Sequence, residues 1–372
     1  MIPARRWLAG TLMSAAVLCV WLLITHKTGR PAGAAHAPLA AREEPARASR
    51  HTASRPAVTA HRQFLDDWAA LERWLLNNPE PEAIRSRLGT LRQLWVGMDW
   101  QVLASAISGQ LATGDDLPTG LPFAVGPNGL LTSWPSLRVF LLDALAIADP
   151  AQAATIAREV LDSTSSADEY AVALRALTRE GPGRAENREL LSHFARLLDH
   201  HEWRDAAGFA EAFDMPRFLG DPQAARLVAS WNGNPELKQM AMHEYAAEHP
   251  ASAAMLASMC GSDPTQRARL MARCRPSDPA QAAEVARYLR DPAISPAEAN
   301  LFLECYPFRG ATTGYRLYGR APAPFTRRQI AEDDLAALQQ ASSWLADPTL
   351  AQHHSPIAGL KQRLEDWQQD QP

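Results

Sequence analysis

Downstream of residue 148, aspartate or asparagine is repeatedly followed by proline: at Asp149, Asp221, Asn234, Asp263, Asp278, Asp291 and Asp347. Such a pair is a helix start. The short polar side chain accepts hydrogen bonds from first-turn N–H groups that have no partner, and proline next to it supplies a helical φ where no donor is needed. Since proline is excluded from helix interiors and central strands, the pairs divide this region into short helical units. Capping-box spacing predicts three more starts, at Ser166 with Glu169, Ser295 with Glu298 and Thr326 with Gln329.

The apolar spacing agrees. Phe64, Leu65, Trp68, Leu71 and Leu75 form a helical face that ends at Asn77-Asn78-Pro79, and Ile84, Leu88, Leu91 and Trp95 repeat the pattern at once. Aromatic residues make up only 7% of a chain that is 47% hydrophobic, alanine is prominent and β-branched runs are scarce, which disfavours an all-β fold. One fragment nearly duplicates itself: Asp149-Pro-Ala-Gln-Ala-Ala-Thr-Ile-Ala-Arg158 against Asp278-Pro-Ala-Gln-Ala-Ala-Glu-Val-Ala-Arg287. With regular helix spacing, this duplication points to degenerate repeats.

The stretch Trp134 to Gly181, with its alternation of Leu, Ala and Arg as in Ala171-Val172-Ala173-Leu174-Arg175-Ala176-Leu177, resembles a HEAT-like helical array. The resemblance is one of pattern and extends over about half of the body. It implies an all-α fold of stacked antiparallel helix pairs, an α-solenoid or a helical toroid, of roughly a dozen to sixteen helices. The tetratricopeptide pattern is not met.

The chain is expected in three parts. Residues 1–27 form an N-terminal membrane anchor or uncleaved signal, since Trp7 to Thr25 carries no charge and as a helix would span about 28 Å, close to the hydrocarbon core. A cleaved signal peptide ending near Ala32-Gly33-Ala34 is the competing reading. Residues 28–62, with Pro31, Pro38, Pro45 and Pro56 among alanines and arginines, read as a disordered linker. Residues 63–372 form the helical-repeat body. Flanking charge does not orient the anchor; the signal-like N-terminus favours a body outside the cytoplasm, in a periplasm-like space.

Charge separates the parts further. Residues 1–27 carry +3 and residues 28–62 carry +4, so the body must carry −11 for the total to be −4. A body this acidic is a poor partner for phosphate backbones, and nucleic-acid binding by it is not expected. Cys260, Cys274 and Cys305 form no CxxC pair; they read as small buried hydrophobes or, in an exported body, as one disulfide between Cys274 and Cys305.

Two segments break the helical rhythm. Thr113 to Ser133 holds four glycines and three prolines, including the β-turn sequence Gly126-Pro127-Asn128-Gly129, and is either a lid or binding loop or a packed connector. Pro307 to Phe325 sets Tyr315, Arg316, Tyr318 and Arg320 between glycines, either as a stacking or anion-binding surface or as a second connector. The candidate binding residues are therefore Phe123, Asn128, Trp134, Tyr315, Arg316 and Tyr318.

No catalytic or metal motif survives inspection. His243-Glu244 opens like a zinc-protease helix, but position 247 is alanine, so the second imidazole is missing. His193 and His200 stand about 10 Å apart along a helix, too far for one ion without further ligands. There is no P-loop and no G-x-S-x-G elbow. Tryptophans at helical spacing read as core. No cofactor, metal or catalytic residue is expected. The leading expectation is a membrane-anchored helical scaffold or binding module of the cell envelope with an unidentified protein or polymer partner. The alternative is an envelope enzyme with a toroidal body acting on a polymer, and a third is a subunit of a larger envelope complex.

Overall fold

The computed structural model describes residues 55–77, 79–96, 98–179, 184–309, 314–319 and 325–369. The expected membrane helix over residues 7–25 lies outside them, and among the described residues no helix is long and apolar enough to cross a membrane.

The described chain is all-α but for one small hairpin. It opens with α1 (Arg55–Leu75), α2 (Pro81–Val96) and α3 (Trp100–Ala112), crosses a hairpin of β1 (Ala124–Val125) and β2 (Leu131–Ser133), and continues through α4 (Leu137–Ala148), α5 (Pro150–Ser163), α6 (Ala167–Thr178) and α7 (Arg184–Asp199). Short helices follow: α8 (Ala207–Glu211), α9 (Met215–Leu219) and α10 (Pro222–Ser230). Then come α11 (Pro235–Glu248), α12 (Ala253–Ser258), α13 (Pro264–Met271), α14 (Pro279–Leu289), α15 (Pro296–Cys305), α16 (Arg327–Leu345) and α17 (His354–Gln369). Helices pack on their neighbours in sequence: α4 on α5 and α6, α9 on α10 and α11, α11 on α12 and α13, α13 on α15. This is compatible with a helical repeat fold.

Capping chemistry sets most of the boundaries. Asp149, Asp221, Asn234, Asp263 and Asp278 each accept from first-turn N–H groups, with proline following. Asp347 opens a 3₁₀ turn, Pro348–His353. Asp291 departs from the expectation. Its carboxylate caps a non-helical turn by accepting from the Ala293 N–H, and the helix starts four residues later, where Ser295 caps α15. A second start so close by, carried by Ser295 with buried Ile294 before it, wins the competition. Of the three capping boxes only Thr326 with Gln329 is reciprocal. Glu169 and Glu298 turn to arginines instead.

Residues 55–62 are helical, so the first two turns of α1 fall in the segment expected as a linker. The predicted faces of α1 and α2 are buried except for Leu65, which stands one residue off the stripe and is 44% exposed. One hydrophobic core runs continuously from Phe64 to Leu364. Trp68, Trp95, Trp134, Trp203, Trp231 and Trp344 lie in it, whereas Trp100 is exposed. Cys260, Cys274 and Cys305 are free thiols, so the Cys274–Cys305 disulfide is not formed.

Candidate functional site

The two irregular segments end at the same place, each tied down by buried charge. On the hairpin side the tie is Asp143, on α4. It is fully buried, pairs with Arg175 of α6, accepts from the Trp134 indole N–H at 2.8 Å, and lies 3.3 Å from the Arg92 guanidinium. Arg175 also donates to the Gly129 carbonyl at 2.9 Å, and Arg92 to the Leu131 carbonyl at 2.9 Å. Arg92 lies over the Trp134 ring. The hairpin is thus a packed connector: Trp134 and Phe123 are buried, and Asn128 sits exposed in the turn, its side-chain oxygen accepting from the Leu130 N–H.

The second segment, residues 314–319, has no helix or strand. Its backbone donors go to carboxylates. Asp214, fully buried at the end of a 3₁₀ turn between α8 and α9, accepts from the N–H groups of Tyr318 and Gly319 at 2.9 and 3.0 Å. Glu211 accepts from the Arg316 N–H. The Arg316 side chain approaches Glu244 of α11 at 3.4 Å. Beneath Gly319 lies Arg217, held by Asp214 at 2.5 Å and Glu248 at 2.7 Å.

Glycine is required where the segment touches its floor. A Cβ at Gly314 would fall on the Glu244 carboxylate, and one at Gly319 would stand 2.6 Å from the Arg217 guanidinium. The hairpin turn closes on the same segment from above: at Gly129, whose φ is +74°, a Cβ would stand 2.8 Å from the Arg316 carbonyl oxygen and 3.3 Å from that of Leu317. Tyr318 is buried and its hydroxyl has no hydrogen-bond partner among the described residues; Tyr315 is half-buried.

Crowding three acids under low solvent exposure changes their titration. Burial pushes Glu244 up to about 7; Asp214 adds to this, and Arg316 and Arg217 oppose it. Glu211 is raised to about 7 for the same first reason, with Asp214 and Glu244 adding. Asp214 is also raised by burial, against the pull of Arg217 and its two N–H donors. One oxygen of Glu244 and one of Glu211 have no hydrogen-bond partner among the described residues.

Behind Glu244, its neighbour His243 takes a fixed tautomer. Arg273 donates to Nδ1 at 3.1 Å, so Nε2 carries the proton and donates to Gln266 at 2.7 Å. Burial first, then Arg273, lowers this histidine to about 4, so it stays neutral. Gln266 also lines a cavity of about 190 Å³ with Met242, Met259, Cys260 and Leu270. Among the described residues no group of three His, Cys, Asp or Glu side chains has the geometry to hold a metal ion.

Of the six candidate residues, Arg316 and Tyr318 meet in this cluster with the turn next to Asn128, Tyr315 lies beside them, and Phe123 and Trp134 belong to the core below the hairpin. Sequence reasoning missed Glu211, Asp214, Arg217, Asp143 and Arg175, and weighed Glu244 only as half of a zinc motif. A signal was present. Glu211 and Asp214 interrupt the apolar run Phe209-Ala-Glu-Ala-Phe-Asp-Met215, and Arg175 interrupts another, which marks charges that must be buried and paired. Compared with protein-family models, with curated proteins and with solved structures, the chain finds no match.

Proposed function

We propose that this protein is a scaffold or binding module of the cell envelope, anchored in a membrane through residues 7–25 and presenting an α-solenoid body outside the cytoplasm to a protein or polymer partner. The observation that carries this reading is the shared acidic floor. Carboxylates from α8, the turn before α9, and α11 converge beneath one non-helical segment of the chain. Converging side chains from successive helices are how helical arrays hold elongated partners. The acidity of the floor matches that of the body as a whole and favours a cationic partner over a polyanion.

The test is a photo-crosslinking residue placed at exposed position 128, beside the floor, and at exposed position 65, on α1, in cells carrying the full chain. A reporter enzyme that is active only outside the cytoplasm is fused after residue 372. A discrete adduct at 128 but not at 65, with an active reporter, is expected. Identical adducts at both positions, none at either, or a reporter that stays inactive although the fusion is expressed would overturn the proposal.

The enzyme alternative has one observation in its favour: two carboxyl groups held near 7, where a general acid works well. An enzyme of this kind would release fragments from isolated envelope polymer and would lose that activity in both Glu211→Gln and Glu244→Gln. A scaffold would release none in any form.

A further inference from the structure

We propose that the floor formed by Glu211, Asp214 and Glu244 is a recognition site for an extended, arginine-bearing peptide segment, and that residues 314–319 of the chain occupy it in cis. The inference rests on the binding-module reading and names the partner's chemistry.

Three features of the occupant carry it. First, the N–H groups of Arg316, Tyr318 and Gly319 bond to side-chain carboxylates rather than to a helix or sheet partner. Capture of an extended main chain by side chains of a helical array is a mode of ligand recognition that does not depend on the ligand's own secondary structure. Second, a guanidinium is set toward Glu244 while the main chain passes Glu244 and Arg217 at two glycines that no larger residue can replace. A ligand of the form Gly-x-Arg-x-x-Gly reproduces both contacts. Third, the fit is incomplete. Glu244 is 2% exposed, yet among the described residues one Glu244 oxygen and one Glu211 oxygen lack hydrogen-bond partners. Buried acceptors left over by the chain's own segment are capacity that a ligand with further donors would use.

The charges facing Glu244 are Arg316 from the segment, Asp214 and Arg217 from the neighbouring turn and α9, and Glu211 and Arg273. With Glu211 and Glu244 raised toward 7, a cationic ligand that favours their ionised forms binds more tightly as pH rises from 6 to 8, releasing protons as it does.

The test uses the labelled, end-blocked peptide Gly-Tyr-Arg-Leu-Tyr-Gly titrated by fluorescence polarisation into the purified full chain in detergent micelles. Gly314→Val expels the segment by its clash with Glu244 while leaving Glu211, Asp214 and Glu244 themselves unsubstituted. This variant should bind the peptide at least tenfold more tightly than the parent and lose the gain when Glu244→Gln is added. The peptide with alanine for arginine should bind at least tenfold more weakly. Equal binding to parent and variant, binding to neither with helical circular dichroism retained, or displacement by spermine as effective as by peptide overturns the assignment.

If Gly314→Val fails to fold, hydrogen exchange at the Tyr318 and Gly319 amides of the parent is followed with excess peptide. Lost protection supports the site and unchanged protection overturns it. Peptide binding is read on purified protein and needs no cellular partner. A chain that crosslinks at position 128 but ignores the peptide therefore loses only this inference, and one that binds peptide but fails in cells loses only the wider proposal.

Discussion

Asp143 accepts from Arg175 and Trp134 and faces Arg92, with no exposure to water. Removing one member of a buried pair strands the other's charge in a medium that solvates it poorly, so Asp143→Ala should cost about 3–5 kcal/mol in urea unfolding. Glu189→Ala breaks the partly exposed pair with Arg158 and should cost under about 1 kcal/mol. Equal losses would mean that burial is not what makes the first pair matter. Glu211 gives a pH test of the second cluster. Its pKa is raised from 4.5 to about 7, so its contribution to stability is fully present below 4.5 and is lost as pH rises through 7. Glu211→Gln keeps an acceptor for the Arg316 N–H and should remove this dependence, leaving the variant more stable than its parent at pH 8 by on the order of 1–2 kcal/mol after allowance for solvent screening. His243, lowered from 6.5 to about 4, acts in the opposite sense as pH falls, so the difference between variant and parent is the quantity to follow. A constant difference from pH 4.5 to 8 would show that Glu211 does not titrate in this range. At this scale the sequence marked the tryptophans as core as a class, from which Trp100 departs, but not which charges are buried. Helical spacing reports faces, whereas the partner that lets Asp214 or Asp143 be buried sits on another element.

Helix starts were the most legible elements, because a cap is a local bargain among four consecutive residues. Asp278 and Asp291 look alike in sequence, yet only Asp278 accepts from two first-turn N–H groups of a helix. Asp278→Ala should therefore cost about 1 kcal/mol. Asp291→Ala, which loses only a turn hydrogen bond, should cost less than half of that in the same thermal melts, and the reverse order would undo the capping argument. The hairpin was legible as a turn at Gly126-Pro127-Asn128-Gly129 but not as a two-stranded element, since strands of two and three residues leave no periodic signature. The segment 314–319 was legible only as an interruption. Its conformation is set by carboxylates about a hundred residues earlier, and no local pattern encodes that.

For the whole molecule, stacking on sequence neighbours would by itself make unfolding piecemeal, because each helix pair would depend only on the next. The meeting of Gly129, Asp214 and Arg316 changes that expectation. It ties the connector between α3 and α4 to a turn in the middle of the chain and to the segment after α15, so distant parts of the array share one set of buried contacts. The intact body should then unfold in a single transition in which tryptophan fluorescence and circular dichroism coincide, since buried Trp68 and Trp344 report from the first and last parts of the body. Gly129→Val removes the left-handed freedom of that turn and drives a side chain into the Arg316 carbonyl, so it should split the two probes into separate midpoints. Coincident transitions in both proteins would mean that nearest-neighbour packing alone supplies the cooperativity. In that case the segment across the acidic floor would be held by the packed helices without holding them together.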